Sequence, residues 1–215
     1  MRRTKPAARR VRDSCTTCSS SRSASPSCAR AASTRCPTRI RSGTRKRAED
    51  AGMSATAGEL GRIAAVCTGP GGIPKRPIER AELGALGLAG DAHRYKGHGG
   101  PNRAVCILFE QDYAELERDG VKTSGPGTFG ENLLIAGVDR DRLRPGDRLH
   151  IGEREAGVVI EIHDVREPCK TLRPLDARFP NLMLGRSGFV CRVIRAGVLE
   201  RGQPVLVVPA RARDS

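Results

Sequence analysis

Short apolar runs separated by glycine-rich turns dominate the chain between about residues 58 and 208. The clearest run covers residues 103–109, which is continuous and short enough to be a buried strand. Residues 158–163 alternate in part, as a half-buried strand does. Five further segments are predicted to contain strands: residues 61–66, 131–135, 143–151, 189–195 and 205–208.

One short helix is predicted over residues 110–118. Phe109, Tyr113 and Leu116 fall at positions i, i+4 and i+7, on one helical face, and Gly120 suits a C-terminal stop. Residues 171–188 have a weak pattern that allows a further helical turn, and a turn is predicted at Gly197.

At least six short strands with one or two helices predict a mainly β fold, a closed or nearly closed β-barrel. Closure removes the free strand edges that otherwise aggregate. The regular strand–helix alternation of a parallel α/β sheet is missing. Aromatic residues make up 3% of the chain and tryptophan is absent, so the core depends on valine, isoleucine and leucine.

The net charge of +14 is concentrated in the first 52 residues, which hold 14 basic and 3 acidic side chains. The rest of the chain holds 24 basic and 21 acidic residues, and this near balance argues against nucleic acid as a partner except through the basic tail. Residues 1–52 contain almost no large apolar side chains and are predicted to be disordered. We therefore divide the chain into a tail, residues 1–52, and a barrel domain, residues 58–208.

Several readings of the tail remain open. Its arginine- and serine-rich composition fits an organelle transit peptide, its charge fits nucleic acid, and four cysteines fit a zinc knuckle: Cys15, Cys18, Cys28 and Cys36. The favoured reading is that translation starts at Met53 and the tail is upstream sequence. The chain has no run of 18 apolar residues to span a membrane, and its scattered cysteines favour the reducing cytoplasm.

Cys169 is the candidate reactive thiol. It follows Pro168 outside any apolar run, and Arg166, Lys170 and Arg173 are close in sequence. Nearby cations favour a thiolate, which attacks electrophiles or binds soft metals; a buried loop cysteine is the alternative. The domain's other cysteines lie in or beside apolar runs and are predicted to pack in the core: Cys67, Cys106 and Cys191.

Two glycine-rich loops offer groups that bind anions. Residues 98–103 combine backbone N–H groups with His98 and Arg103, and residues 71–75 end in Lys75. Such loops suit a phosphate or pterin-type ligand, or serve only as turns. Neither Walker A spacing nor a dinucleotide fingerprint occurs.

Two further polar groupings have open interpretations. Glu131 and Asn132 either orient a polar ligand or cap a loop. A zinc site is the less favoured alternative, and its ligands would come from Asp91, His93, His98 and Cys169.

Seven short motifs occur in a fixed order: GGIPK (71–75), GLAGDAH (87–93), HGGPNRAV (98–105), GTFGENL (127–133), PGD (145–147), REPC (166–169) and GRSG (185–188). Together they resemble the MOSC domain family, named from the C-terminal part of molybdenum cofactor sulfurases, and within it the small bacterial YiiM-like proteins. The resemblance runs from about Arg62 to about Val207. It departs in one respect: YiiM-like proteins commonly carry a helical segment after the barrel, whereas seven residues follow Val208.

The resemblance implies a β-barrel of the pyruvate-kinase-barrel type and a site for molybdenum cofactor, a pterin that chelates the metal through a dithiolene and ends in a phosphate. It matches Cys169 to the cysteine that ligates molybdenum in related amidoxime-reducing proteins. The residues assigned here to cofactor binding are Lys75, His98, Arg103, Asn132 and Arg166.

Three functional hypotheses follow. The first is a molybdenum-cofactor oxidoreductase that reduces a small N-hydroxylated substrate with electrons from a partner reductase. The second is a non-catalytic carrier of sulfur or cofactor, with a persulfide on Cys169. The third is nucleic-acid binding through the basic tail.

Overall fold

The computed structural model describes residues 60–210, apart from the side chain of Lys96. The predicted tail, residues 1–52, lies outside this range, so the readings of it stay predictions. The described strands are β1 (Leu60–Thr68), β2 (Arg76–Ile78), β3 (Arg80–Gly84), β4 (Gly87–Leu88), β5 (Val105–Phe109), β6 (Leu133–Ala136), β7 (Arg148–Ile151), β8 (Val158–Val165), β9 (Phe189–Arg195), β10 (Gly197–Glu200) and β11 (Pro204–Val208).

Residues 60–210 contain one α-helix, α1 (Glu110–Arg118), which follows β5 directly. It spans the predicted helix: Asp112 Oδ2 accepts a hydrogen bond from the Phe109 backbone N–H (2.8 Å) at its start, and Gly120 follows its end with φ +82°. Short 3₁₀ turns occupy Lys96–His98, Pro101–Arg103, Arg140–Arg142, Lys170–Leu172 and Asn181–Met183.

Seven strands close into a barrel in the order β1, β11, β7, β8, β9, β5 and β6, with β6 returning to β1. Neighbouring barrel strands are antiparallel except for β5 and β6, which are parallel. The barrel closes where Leu60 pairs with Leu206. The prediction of a mainly β, closed barrel is confirmed.

Two apolar clusters cover the two faces of the barrel wall. Along β5, Val105, Ile107 and Phe109 belong to the interior cluster, whereas Leu108 belongs to an outer cluster that also contains Leu116 of α1. Successive side chains of a strand point to opposite faces, so a strand covered on both faces must be apolar throughout. This explains why β5 and β6 are continuous apolar runs in the sequence.

A second sheet joins β10, β3 and β4. Here the predicted turn at Gly197 was wrong, because Gly197 begins β10 and pairs with Leu83 of β3. The partner strand lies far away in sequence, so local pattern gives no sign of the pairing. The apolar side of this sheet, which includes Ala81, Leu83 and Leu199, joins the interior cluster.

Candidate functional site

Asp91 is the centre of a buried polar network where β1 ends and β5 and β6 begin. Its carboxylate accepts hydrogen bonds from Gly69 N (3.0 Å), Lys75 Nζ (2.6 Å) and Asn132 Nδ2 (2.8 Å). The side chains of Lys75 and Asp91 are 7% and 2% exposed, so the ion pair is buried. Lys75 is thus already paired with a carboxylate, and its direct contact with a ligand stays a prediction.

Asn132, the residue before β6, forms hydrogen bonds with both neighbouring strands, β1 and β5. Its Oδ1 accepts from the Cys106 backbone N–H (3.1 Å), and its Nδ2 donates to the Cys67 carbonyl (3.3 Å) as well as to Asp91. Its backbone N–H donates to the Cys106 carbonyl (2.7 Å), and its carbonyl accepts from the Cys67 N–H (2.7 Å). Both amide protons are engaged, so here Asn132 positions its neighbours, and its contact with a cofactor stays a prediction.

Glu131 shapes the glycine-rich loop before β6. Its Oε1 accepts from the Tyr113 hydroxyl and from the Gly127 backbone N–H, each at 2.5 Å. Burial raises the pKa of Tyr113, so the hydroxyl stays protonated and donates. Gly127 in turn accepts from Lys75 N (2.8 Å). Glu131 Oε2 is buried and has no hydrogen-bond partner among residues 60–210. Glu131 Oε1 thus shapes the loop, and the orientation of a polar ligand by Glu131 stays a prediction.

Two arginine side chains beside this network each have one guanidinium nitrogen without a hydrogen-bond partner among residues 60–210. Arg166 Nη2 donates to the Phe129 carbonyl (2.6 Å), and the Arg166 backbone N–H donates to the Gly188 carbonyl (3.0 Å). Arg166 Nη1 and Arg103 Nε are buried, and neither has a hydrogen-bond partner among residues 60–210. A buried donor without an acceptor is costly, so each nitrogen requires an acceptor from a water molecule or from a ligand.

His98 lies at the rim of the same group of cations. Its ring packs edge-on against Tyr95, with ring centroids 5.2 Å apart. Partial burial, followed by the charges of Arg103 and Arg166, lowers the pKa of His98 below its ordinary 6.5. His98 is therefore neutral at pH 7, where its ring offers one N–H donor and one acceptor nitrogen.

Removing one of these cations tests the arrangement. We expect Arg103→Ala to raise the pKa of His98 toward 6.5, because a repelling charge is lost. The titration is followed by NMR, with the His98 resonance assigned through His98→Gln. Arg201→Ala, which removes an exposed charge from the turn between β10 and β11, should leave the pKa unchanged. An equal response to both variants would place Arg103 away from His98.

Cys169 directly precedes the 3₁₀ turn Lys170–Leu172, in the segment that follows β8. It is half-buried, and Thr171 Oγ1 donates to its Sγ at 3.0 Å. The turn is held by a hydrogen bond from Leu172 N to the Cys169 carbonyl (3.2 Å), and Leu172 is buried in the outer cluster. The structure thus presents Cys169 on an anchored, partly accessible loop, three residues after Arg166.

Cys106 departs from its predicted core position. Cys67 and Cys191 are buried as predicted, whereas Cys106 is half-buried. Burial raises the pKa of all three thiols, that of Cys67 to about 12. The charges of Arg166, Lys75 and Arg103 act on Cys106 in the opposite direction. The sequence signal was its position three residues after Arg103, on the face opposite Val105 and Ile107.

Residues 60–210 contain no group of three or more histidine, cysteine, aspartate or glutamate side chains placed to hold a metal ion. His93 Nε2 lies 3.9 Å from Asp91 Oδ2, but that carboxylate is engaged by Lys75. The alternative of a zinc site built on Asp91, His93, His98 and Cys169 therefore has no structural support in this part of the chain.

A cleft of about 300 Å³ opens beside Arg103, with Asn102, His163 and Glu167 in its walls. This volume is at the lower end of the range for small-molecule sites.

Within the part of the chain that the structure describes, no helix is both long enough and apolar enough to cross a membrane.

A closed barrel with a thiol on the loop after β8, and with glycine-rich loops that carry cationic side chains, defines the class of this protein as a small β-barrel domain. The family model of the MOSC domain matches residues 94–206, slightly more than half of the chain. The chain belongs to the MOSC domain family. MOSC domains in general are associated with molybdenum cofactor.

Three curated relatives were found. The chain is 30% identical over 137 residues to the uncharacterized protein YflK of Bacillus subtilis, covering 61% of this chain and 60% of YflK. It is 30% identical over 158 residues to the protein YiiM of Escherichia coli, covering 69% of each. It is 28% identical over 131 residues to a Gibberella moniliformis protein named a reductase, covering 56% of this chain and 22% of that protein.

Solved structures of YiiM share the fold. YiiM from Geobacillus stearothermophilus aligns with a TM-score of 0.57 and 24% identity, covering 70% of this chain and 75% of that one. YiiM from Escherichia coli aligns with a TM-score of 0.54 and 27% identity, covering 69% of this chain and 70% of that one. These similarities identify the chain as a YiiM-like MOSC protein.

Proposed function

We propose that this protein binds molybdenum cofactor and reduces small N-hydroxylated compounds, with Cys169 as the protein ligand to molybdenum. The observation that carries the proposal is the pair of buried, unpartnered nitrogens, Arg103 Nε and Arg166 Nη1. Arg166 lies three residues before Cys169, whose thiol is half-buried. An oxyanion accepts charge-assisted hydrogen bonds from guanidinium groups, so the cofactor's phosphate fits these donors. A thiolate is a suitable soft ligand for the metal.

The chain's own residues then have distinct roles. Arg103 and Arg166 bind the anionic end of the cofactor, and neutral His98 offers one donor and one acceptor at the rim. Cys169 supplies its sulfur, held in place by the turn that Leu172 anchors. Lys75 and Asn132, together with Asp91, support this arrangement from behind the binding surface.

When bound, the cofactor supplies the two-electron chemistry that converts an N-hydroxyl group to an amine and water. We place the entry of a small substrate at the cleft beside Arg103, which is also lined by Glu167, two residues before Cys169. Because the reaction consumes two electrons, it requires an electron donor, and we propose a partner reductase. One relative, a fungal protein of which the match covers 22%, is named a reductase, and this name is in line with the proposal.

Metal analysis of the full chain tests the proposal. Protein produced in a host that makes molybdenum cofactor should contain about one molybdenum and one pterin per chain. We expect Cys169→Ser to lower the molybdenum content by about tenfold or more, because ligand-site changes of this kind weaken metal binding by at least that factor. Cys191→Ala should keep its molybdenum, since its thiol faces the barrel interior.

The possible outcomes separate the two leading hypotheses. Wild-type protein without molybdenum or pterin, from a host that makes the cofactor, would overturn the proposal. A persulfide on Cys169 in metal-free protein, detected by mass spectrometry, would instead favour the sulfur carrier. Molybdenum retained in Cys169→Ser would remove Cys169 as its ligand.

A further inference from the structure

The cleft of about 300 Å³ beside Arg103 has walls from two segments of the chain. The 3₁₀ turn Pro101–Arg103 supplies Asn102 and Arg103, and the end of β8 with the residues after it supplies the other wall. That second wall carries three polar side chains: His163, Asp164 and Glu167. Glu167 lies two residues before Cys169, so this wall continues directly into the loop that holds the candidate thiol.

A shift in strand register turns two consecutive side chains of β8 toward the cleft. Ile162 packs in the interior cluster, so strict alternation would direct Asp164 to the interior as well. The pairing of β8 with β9 instead shifts between Ile162 and Asp164. Both His163 and Asp164 are exposed and line the cleft. Irregularities of this kind re-aim side chains and are over-represented next to active sites.

The carboxylates of Asp164 and Glu167 have no cationic partner. Neither is in an ion pair with any residue that the structure describes. Asp164 Oδ1 accepts a hydrogen bond from the Val165 backbone N–H (2.7 Å), which leaves the charge of the carboxylate uncompensated. Arg103 lines the same cleft but pairs with neither of them. The walls therefore carry two negative charges that the protein itself does not neutralise.

The cleft also has an apolar surface beside these charges. Val165 and Val190 line it, and Val165 is 51% exposed although it belongs to a barrel strand. An apolar surface next to two carboxylates suits a small, planar organic cation, which packs its ring and pairs its charge. Under the proposed function the anionic end of the cofactor engages Arg103, so the negative charges of Asp164 and Glu167 dominate the remaining cleft.

We propose that Asp164 and Glu167 select the substrate by its charge. The cleft takes a small planar nitrogen base that is positively charged, in preference to a neutral molecule of the same shape. His163 and Asn102 lie in the same walls and offer hydrogen bonds to the other polar groups of that molecule. The inference rests on the proposed function only where it calls this molecule the substrate. Binding of a cation in the cleft does not depend on molybdenum.

Two probes of equal shape test the selection. Benzamidine is a cation at neutral pH, and benzamide is its neutral counterpart. Each is titrated into the full-length protein at constant ionic strength, and the His163 ring resonance is followed by NMR, with its assignment through His163→Gln. We expect benzamidine to bind about fivefold or more tightly than benzamide, because each ion pair with an exposed carboxylate contributes up to about fivefold.

The matched variants remove equal charge at different places. The double substitution Asp164→Asn, Glu167→Gln retains the shape of both side chains and an acceptor for the Val165 N–H. It should bring the two affinities to about the same value by weakening benzamidine alone. Glu153→Gln with Glu155→Gln makes the same change of charge in the exposed loop before the other end of β8. This control should keep the preference for benzamidine.

The preference in the wild type and in the control, with its loss in the Asp164 and Glu167 variant, supports charge selection. That result would stand even if the metal analysis finds no molybdenum, and the proposed function would then fail by itself. Equal affinity for both probes in the wild type overturns the inference, as does a preference that survives the double substitution. Benzamidine that leaves the His163 resonance unchanged also overturns it, since the cation would then bind elsewhere or not at all.

Discussion

Replacing Asp91 with alanine lowers the free energy of unfolding by about 3–5 kcal/mol, the usual cost of removing one partner from a buried ion pair. The carboxylate accepts from Gly69 N, Lys75 Nζ and Asn132 Nδ2. Its removal takes the acceptor from the Gly69 N–H, from one of the two Asn132 amide N–H groups and from the Lys75 ammonium, whose side chain is 7% exposed. Urea denaturation with linear extrapolation measures the change.

Two controls separate the buried charge from a general loss of packing. Glu200→Ala breaks the exposed pair between Arg80 and Glu200 and should cost no more than about 1 kcal/mol. The double substitution Lys75→Met, Asp91→Leu removes both charges, and we expect it to recover much of the stability. A cost below about 1 kcal/mol for Asp91→Ala would mean that water replaces the carboxylate, which contradicts a buried network.

The second large effect is expected at Gly127. A Cβ there would lie 2.4 Å from the Lys75 carbonyl oxygen, and the backbone has φ +89°. We expect Gly127→Ala to lower the free energy of unfolding by about 2–5 kcal/mol, from the left-handed backbone and from the forced contact. Because the same loop holds Arg166 through the Phe129 carbonyl, the substitution should also disturb the ligand site.

Gly202 provides a matched control for this substitution. It also has φ +89°, but nothing lies within 4 Å of its Cβ position. Gly202→Ala should therefore cost only the backbone contribution, about 1–2 kcal/mol. The difference between the two variants isolates the contact with Lys75. Equal costs at both positions would show that the loop shifts freely and that Gly127 is not sterically required.

The sequence predicts those elements whose hydrophobic pattern is complete within one continuous segment of the chain. Residues 105–109 are apolar throughout because both faces of β5 are covered, and α1 has its apolar side chains on one face. The short strands β3 and β10 were missed because each is stabilised by the other. These two strands are far apart in sequence, and the local hydrophobic pattern of either one does not indicate that they pair.

The same distinction applies to the site. A lysine after glycines predicts an anion site, but only the folded chain brings Asp91 to Lys75. Cys106 was assigned to the core because its strand is apolar, whereas its exposure depends on where the outer cluster stops. Arg103 was identified from its glycine-rich loop and Arg166 from its position near Cys169. The structure adds that each has a buried nitrogen without a partner among residues 60–210.

The pairing of β1 with β11 has a consequence for synthesis on the ribosome. β1 is the first of the described strands to be translated and β11 is the last, so the edge of β1 that receives Leu206 has no partner while the intervening strands emerge. An unpaired strand edge can associate with other chains. The nascent barrel is therefore open for nearly the whole time of its translation, and its exposure to aggregation is greatest before Pro204–Val208 leaves the exit tunnel.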